Sequence, residues 1–314
     1  MSVLVFLETS EGSIKKSSIE ALVYGRSLQL GDVHTMVAGN PSNLDEAAKF
    51  GAAKIHSISD SRFQSMDSAA YSEALSGLAT QIGASVIVLA KSAFTDSLTA
   101  STSFIWDATA ATNVVSLPDS GFNIKRSIFT GKAFETVALT SERKIISVRK
   151  NAVAVTESPA SGEVVSFQPS LSPKAFAIKT ISTEKTSGEV LLSDAEIVVS
   201  GGRGLKGPEN WGLISDMAKV LGAATGCSKP VSDLHWRPHH EHVGQTGIKV
   251  SPNLYFAIGI SGAIQHVAGI SSSKVIVAIN KDADAPIFKV ANYGIVGDAF
   301  EIVPKLTQAL REAL

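Results

Sequence analysis

The chain lacks two things: cysteine beyond a single residue, and an excess of either charge. Its one cysteine, Cys227, excludes an internal disulfide framework and any all-cysteine zinc or iron–sulfur site within one chain. Lys and Arg total 28 and Asp and Glu total 29, so no broad basic surface is expected for nucleic acid or an anionic membrane. No apolar run approaches the roughly 20 residues of a membrane helix. We therefore expect no nucleic-acid partner and no membrane insertion.

The first residues also lack the features of a secretory leader. Residues 3–7 form an apolar run that is too short for a signal peptide, and neither a basic segment nor a cleavage motif flanks it. This run predicts a first buried strand. Because a chain with one cysteine fits a reducing compartment, we expect the bacterial cytoplasm, with the mitochondrial matrix as the alternative for a processed chain.

The first half alternates apolar runs with amphipathic stretches, a pattern typical of a parallel sheet covered by helices. The predicted elements are strands at 3–7, 33–38, 53–58 and 85–90 and helices at 17–30, 44–50, 69–82 and 96–108. Short gaps separate three further runs, 122–129, 133–140 and 143–149, and favour antiparallel hairpins. The following segment, 156–187, is rich in Ser, Thr and Lys and predicts an extended arm along a surface.

A second α/β domain is expected at residues 188–314, after a first domain of residues 1–187. Its first strand runs into Gly201-Gly202-Arg203-Gly204, and a helix with an apolar face begins near Pro208. Later strands at 254–260 and 274–279 and a last helix at 300–314 complete an open sheet. Ligands of such sheets bind at the carboxyl ends of the strands.

Polar or glycine-rich loops follow these strands and could meet at one edge. They are residues 200–205, 227–233, 243–247 and 261–266, together with Asn280 and Asp298. Helix N-termini at such an edge suit a pyrophosphate, and Arg203 adds a planar cation. Each signal is weak by itself, because the glycine-rich loop at 201–204 is neither the dinucleotide fingerprint nor a P-loop.

Single residues of these loops also have ordinary structural explanations. Arg203 fits a solvated loop arginine, Lys229 an exposed surface lysine and His266 a packing or capping histidine. The segment 235–242 contains four histidines but completes no recognised zinc spacing. We predict a polar loop there and no metal.

The second domain carries a specific series of motifs in order. They are Val-Val-Ser-Gly-Gly-Arg-Gly-Leu (198–205), Val-Gly-Gln-Thr-Gly (243–247), Leu-Tyr-Phe-Ala-Ile-Gly-Ile-Ser-Gly-Ala-Ile-Gln-His (254–266), Ile-Val-Ala-Ile-Asn-Lys-Asp (276–282), Ala-Pro-Ile-Phe (285–288) and Tyr-Gly-Ile-Val-Gly-Asp (293–298). This series resembles the alpha subunits of electron-transfer flavoproteins over residues 195–314, and the first half is similar mainly in layout. The resemblance implies an α/β protein of two domains. The first would have a nucleotide-hydrolase-like sheet with added antiparallel strands, and the second a Rossmann-like parallel sheet that binds FAD.

The resemblance also implies a heterodimer with a beta subunit, which usually holds a structural AMP and on which residues 1–187 would pack. Such complexes take electrons from acyl-CoA dehydrogenases and related flavoenzymes and pass them to a membrane quinone oxidoreductase. The chain would then be an electron carrier without substrate turnover of its own. Two alternatives remain at this point: an NAD-dependent dehydrogenase, disfavoured by the missing fingerprint, and a non-redox nucleotide-binding or scaffold subunit.

Residue by residue, the resemblance implies an FAD site of fifteen residues. They are Arg203, Ser228, Lys229, Val243, Gly244, Gln245, Thr246, Ser261, Gly262, Ala263, Ile264, Gln265, His266, Asn280 and Asp298. Thr246 would hydrogen-bond the flavin N5 region, and His266 would face the pyrimidine carbonyl where negative charge builds up on reduction. Asn280 and Asp298 would hold the adenosine end.

Lys229 departs from the family pattern, which commonly has Ser-Arg where this chain has Ser228-Lys229. Lysine keeps the positive charge but loses the planar stacking surface and the fork of donors. We expect Lys229, Thr246 and His266 to tune the flavin's redox properties, with the one-electron-reduced anion less stabilised than in arginine-bearing relatives. The histidine-rich loop at 235–242 has no known family role.

Overall fold

The computed structural model describes residues 2–131, 133–178, 180–181 and 191–314. The chain divides into two compact units, Met1–Thr183 and Glu184–Leu314. The predicted domain boundary after residue 187 lies outside the described residues and stays a prediction. Among the described residues, no helix is both long and apolar enough to cross a membrane.

The first unit is built on a large mixed sheet with helices on both faces. Its described strands are β1 (Ser2–Leu7), β2 (Thr9–Ser10), β3 (Ser13–Ile14), β4 (Val33–Ala38), β5 (Lys54–Ile58), β6 (Ala84–Ala90), β7 (Thr109–Val114), β8 (Asn123–Ile128), β9 (Ala133–Ala138), β10 (Lys144–Val148) and β11 (Glu163–Ser166). Its described helices are α1 (Lys16–Ser27), α2 (Leu44–Lys49), α3 (Ser68–Gln81) and α4 (Ala93–Ile105). Nine of the described strands form one sheet in the order β11-β5-β4-β1-β6-β10-β7-β8-β9, and β2 and β3 pair separately.

Strand β1 shows why helices cover both faces of this sheet. Every residue of β1 is buried, with Val3 and Val5 in one apolar cluster and Leu4 and Phe6 in the other. Continuous burial is expected for a central parallel strand, because both of its faces lie under helices. The run at residues 3–7 is therefore a buried strand, as predicted.

The prediction that the first unit ends in antiparallel strands is only partly right. Strands β8 and β9 do form an antiparallel hairpin. Strand β10, however, lies between β6 and β7 and runs parallel to both. Its Ile145 and Ile146 are fully buried on opposite faces, as expected for a parallel strand covered by helices on both sides. The short gap before β10 therefore did not lead to a hairpin with β9.

Residues 163–167 of the predicted arm lie along the edge of the first unit's sheet. Within it, β11 pairs in parallel with β5, and Val165 stands opposite His56. Farther along the arm, the amide of Phe167 donates to the carbonyl oxygen of Ser57 at 2.9 Å. The arm therefore adds a strand to the sheet and covers its edge.

The second unit contains a parallel sheet of five described strands, in the order β13-β12-β14-β15-β16. The strands are β12 (Ile197–Gly201), β13 (Ala224–Cys227), β14 (Leu254–Ile258), β15 (Val275–Asn280) and β16 (Tyr293–Val296), and the helices are α5 (Gly212–Leu221), α6 (Lys229–Asp233), α7 (Ile264–Ile270) and α8 (Ala299–Ala313). Helices α5 and α8 pack on one face through Ile214 and Val303, and α7 covers the other face through Ile270. The predicted fold, a large mixed sheet followed by a separate parallel sheet, is confirmed.

Candidate functional site

The carboxyl ends of the second unit's strands lie along one edge of its sheet. Predicted site residues follow these ends: Arg203 after β12, Ser228 and Lys229 after β13, residues 261–266 after β14, Asn280 at the end of β15 and Asp298 after β16. Parallel pairing of all five strands therefore brings these distant parts of the chain to the same edge.

Backbone hydrogen bonds hold the loop at 243–247 at the same edge. The amide of Val243 donates to the Cys227 carbonyl at 2.9 Å, and the amide of Gln245 donates to the Gln265 carbonyl at 2.7 Å. The loop also packs closely on α7, since a Cβ added at Gly269 would lie 2.5 Å from the Gly244 Cα. The loop thus bridges the end of β13 and the start of α7.

The two glycine-rich loops after β12 and β14 pack directly against each other. The amide of Gly202 donates to the Ile258 carbonyl at 2.8 Å, and the amide of Gly204 donates to the Gly259 carbonyl at 3.0 Å. A Cβ added at Gly202 would lie 2.1 Å from the Gly259 carbonyl oxygen. At this position glycine is required for contact between two loops of the protein itself.

Gly262 has a similar structural task. Its φ is +86°, a region that favours glycine, and an added Cβ would lie 2.3 Å from the Ile287 amide nitrogen. That amide donates to the Ser261 carbonyl at 3.0 Å. Gly262 therefore lets the loop after β14 approach the Ile287 backbone.

Several polar side chains at this edge have no hydrogen-bond or ion-pair partner among the described residues. They are Arg203, Ser228, Gln245, Thr246, Ser261 and Gln265. All except Ser228 are exposed. The group contains one cation and several uncharged donors and acceptors, the set that a molecule with a phosphate and a polar heterocycle needs. Ala263 and Ile264 lie exposed between Ser261 and Gln265 and supply apolar surface.

Asn280 and Asp298 both serve the local structure. The Asn280 side-chain amide donates to the Ile260 carbonyl at 2.9 Å, and its oxygen accepts from the Asp282 amide at 3.0 Å. Asp298 caps α8 by accepting from the Phe300 amide at 2.9 Å. Both residues lie at the predicted edge, with part of their hydrogen-bonding capacity used by the protein.

Lys229 is the first residue of α6 and points into solvent. Its Nζ lies 3.0 Å from each carboxylate oxygen of Asp233, one helical turn later. The two side chains are 57% and 56% exposed, so water screens the pair and its contribution to stability is small. The positive charge of Lys229 is therefore present at the edge, beside a partner carboxylate.

His266 is the most enclosed of the predicted polar residues. It is 6% exposed, and its Nε2 lies 3.0 Å from the hydroxyl oxygen of Tyr255. The pKa of His266 is lowered to about 4, mainly by burial; the Val243 backbone opposes this lowering and His242 adds to it. The ring is therefore neutral at pH 7 in this structure.

Sequence reasoning missed Tyr255, which lies on β14 with no exposed surface. Its position inside an apolar run is typical of an ordinary core residue. Tyr255 precedes His266 by eleven residues in the sequence. Only the fold shows that a strand and a helix bring the two side chains together.

The histidine-rich loop has mainly structural contacts. Arg237 pairs with the buried Glu241 and lies over Trp211, with its Cζ 5.3 Å from the ring centroid. The rings of His239 and His242 have centroids 5.5 Å apart. No group of three or more possible metal ligands is found among the described residues. The loop packs beside α6, the helix that begins with the exposed Lys229.

Two family models match this chain. The model described as "Electron transfer flavoprotein domain" matches residues 3–172, and the model described as "Electron transfer flavoprotein FAD-binding domain" matches residues 191–271. The second match includes the ends of β12, β13 and β14, where most of the unpaired polar side chains lie.

Curated relatives resemble the chain over nearly its whole length. It is 35% identical to the electron transfer flavoprotein subunit alpha of Bacillus subtilis (strain 168), covering 99% of this chain and 97% of that one. The mitochondrial electron transfer flavoprotein subunit alpha of Arabidopsis thaliana is 36% identical, and the match covers 99% of this chain and 90% of that one. The subunit alpha of Mycobacterium tuberculosis (strain ATCC 25618 / H37Rv) is 35% identical, with 98% of each covered. The chain therefore belongs to the electron-transfer flavoprotein family as an alpha subunit, an electron carrier with an FAD-binding domain.

Proposed function

We propose that this alpha subunit carries electrons from acyl-CoA dehydrogenases and related flavoenzymes to a membrane quinone oxidoreductase. It would do so in a heterodimer with a beta subunit, which holds a structural AMP. The motif series of residues 195–314 supports this choice of donors and acceptor. The expected compartment, the bacterial cytoplasm, stays a prediction. The observation that carries the cofactor's location is the row of unpaired polar side chains at the carboxyl edge of the second unit's sheet.

The residues at this edge fit FAD. Arg203 is an exposed guanidinium without a partner among the described residues, so it is available to a pyrophosphate. Gln245, Thr246 and Gln265 offer uncharged donors and acceptors to the flavin heterocycle, which carries carbonyls and ring nitrogens. When bound, FAD supplies the chemistry of taking up and releasing electrons.

The protein's own groups would hold and tune the cofactor. Ser228 would add a hydroxyl beside the ring, while Asn280 and Asp298 would face the adenosine end. Lys229 would raise the local positive potential, with part of its effect balanced by Asp233. His266 enters as a neutral imidazole, so any positive charge on it requires a proton from outside.

The position of the pyrophosphate can be tested with Arg203→Gln in the heterodimer. Loss of a charge-assisted hydrogen bond removes about 1.5–3 kcal/mol, so FAD binding should weaken about 10- to 150-fold. FAD retained after dialysis would be measured from visible absorption. Lys219→Gln, which removes an exposed cation from α5, is the matched control and should keep its FAD. Equal retention in both variants would place the pyrophosphate elsewhere.

The electron route needs a separate experiment. The wild-type heterodimer should be yellow with near-stoichiometric FAD, and it should be reduced by an acyl-CoA dehydrogenase supplied with its acyl-CoA substrate. Release of NAD, or of no cofactor, would refute the flavoprotein function. A flavin that is present but not reduced by such dehydrogenases would refute only the proposed donors.

A further inference from the structure

Two buried hydroxyl groups outside the predicted FAD site lie on neighbouring strands, and one of them contacts His266. Tyr255 is 0% exposed on β14, and its hydroxyl is the group that contacts the His266 Nε2. Ser200, also 0% exposed, lies on the neighbouring strand β12, where its Oγ has no hydrogen-bond partner among the described residues. Buried hydroxyls without partners are costly, so an unpaired Ser200 calls for a reason.

The direction of the bond between Tyr255 and His266 follows from their surroundings. The His266 Nδ1 is buried, forms no hydrogen bond of ordinary geometry, and has the Val243 backbone as its polar neighbour. The Val243 amide already donates to the Cys227 carbonyl, so Val243 can offer only its carbonyl oxygen, an acceptor. Nδ1 therefore carries the ring proton, and Nε2 accepts from the Tyr255 hydroxyl.

The same arrangement can accommodate a protonated ring. When Nε2 gains a proton it becomes a donor, and the Tyr255 oxygen must accept from it. The Tyr255 hydrogen then needs another acceptor. Ser200 faces the same side of the sheet as Tyr255, because it lies two residues beyond Val198, the β12 residue that pairs with Tyr255. Burial raises the pKa of Tyr255, and Ser200 opposes that rise. The Ser200 oxygen is thus placed to receive the hydrogen that Tyr255 turns away from His266.

We propose that Tyr255 and Ser200 are positioning residues that set the tautomer and the protonation of His266. Tyr255 donates to the neutral ring, and it turns its hydrogen to Ser200 when the ring gains a proton. The new N–H bond forms at Nε2 with a proton from bulk water, the Tyr255 O–H bond is not broken, and no electron moves in this step. The inference rests on the proposed function, because negative charge on a bound flavin would draw that proton to His266.

Other titratable groups nearby are less suited to this role. His242, in the adjacent loop, disfavours a positive charge on His266. Burial raises the pKa of the Cys227 thiol to about 12, so that neighbour of Tyr255 stays neutral. Glu241 and Arg237 act on Cys227 and are paired with each other. Ser200 therefore offers an uncharged and unoccupied acceptor.

The test uses the FAD-loaded heterodimer with ¹⁵N-labelled histidine, in the oxidised and dithionite-reduced forms. In the wild type, the ¹⁵N shifts should show the proton on Nδ1 at neutral pH. Tyr255→Phe should abolish that preference. Ser200→Ala should keep it but move the protonation midpoint of His266 in the reduced complex toward acid by about one pH unit, because the protonated ring loses its acceptor arrangement.

Ser147→Ala is the matched control, since Ser147 is likewise fully buried on a strand with an unpartnered hydroxyl, but in the first unit. It should leave both readouts unchanged. A midpoint in Ser200→Ala equal to that of the control, or an unchanged tautomer in Tyr255→Phe, would overturn the inference. Flavin absorption of the same samples separates this outcome from a failure of the proposed function, in which the wild type would bind no FAD.

Discussion

Replacing Gly202 by alanine should separate two loops at the proposed FAD-binding edge. The added Cβ would lie 2.1 Å from the Gly259 carbonyl oxygen, whereas real Cβ contacts are essentially never under 3.0 Å. The loops must therefore move apart by about 1 Å, which strains the Gly202–Ile258 and Gly204–Gly259 hydrogen bonds of 2.8 and 3.0 Å. Overpacking costs about 1–3 kcal/mol and each lost hydrogen bond about 1 kcal/mol, for a total near 3–5 kcal/mol.

This loss can be measured by urea titration of the FAD-loaded heterodimer, with flavin fluorescence reporting FAD release. With a slope of about 2 kcal/mol per molar urea, the release midpoint should fall by about 2 M. Gly212→Ala is the control, because an alanine Cβ there meets no atom within 4 Å. A Gly202→Ala midpoint within about 0.3 M of that control would refute the steric argument.

Two further changes test charge and protonation. Lys229→Arg should raise the yield of one-electron-reduced flavin in a redox titration, because arginine adds a stacking surface; unchanged potentials and yield would exclude a tuning role. In the first unit, the pKa of His56 is lowered to about 4, mainly by burial and also by His34. The unfolded ring therefore binds protons that the folded ring does not, so stability should fall as the pH drops from about 6.5 to about 4. His56→Leu should reduce the difference in melting temperature between pH 7 and pH 5. His240→Leu, at an exposed site, is the control. If both variants show the same difference in melting temperature, His56 does not cause the pH dependence.

That the candidate site residues share one edge could be predicted from the sequence, because it depends on a general rule of parallel sheets. Glycine-rich or polar residues such as Arg203 and Ser261 follow apolar runs, and the carboxyl ends of parallel strands share one edge. Element types also followed from local patterns, since β14 and α8 are strongly apolar or amphipathic over their whole lengths.

The remaining features depend on long-range packing, which local patterns do not contain. Nothing in the residues of β10 specifies that it enters the sheet between β6 and β7. Only the fold shows that the missing side chains of Gly202 and Gly262 make room for other parts of the chain. Likewise, the contact between Tyr255 and His266 exists only once β14 and α7 are packed together.

The central place of β10 has a consequence for folding. Strand β7 reaches the rest of the sheet through β10, which is made later in synthesis. The hairpin of β8 and β9 is joined to the sheet through β7 and must wait as well. Until residues 144–148 leave the ribosome, β6 has an open apolar edge that could pair with another chain. Nascent chains that end before β10 should therefore aggregate, while chains that include β10 should resist proteolysis.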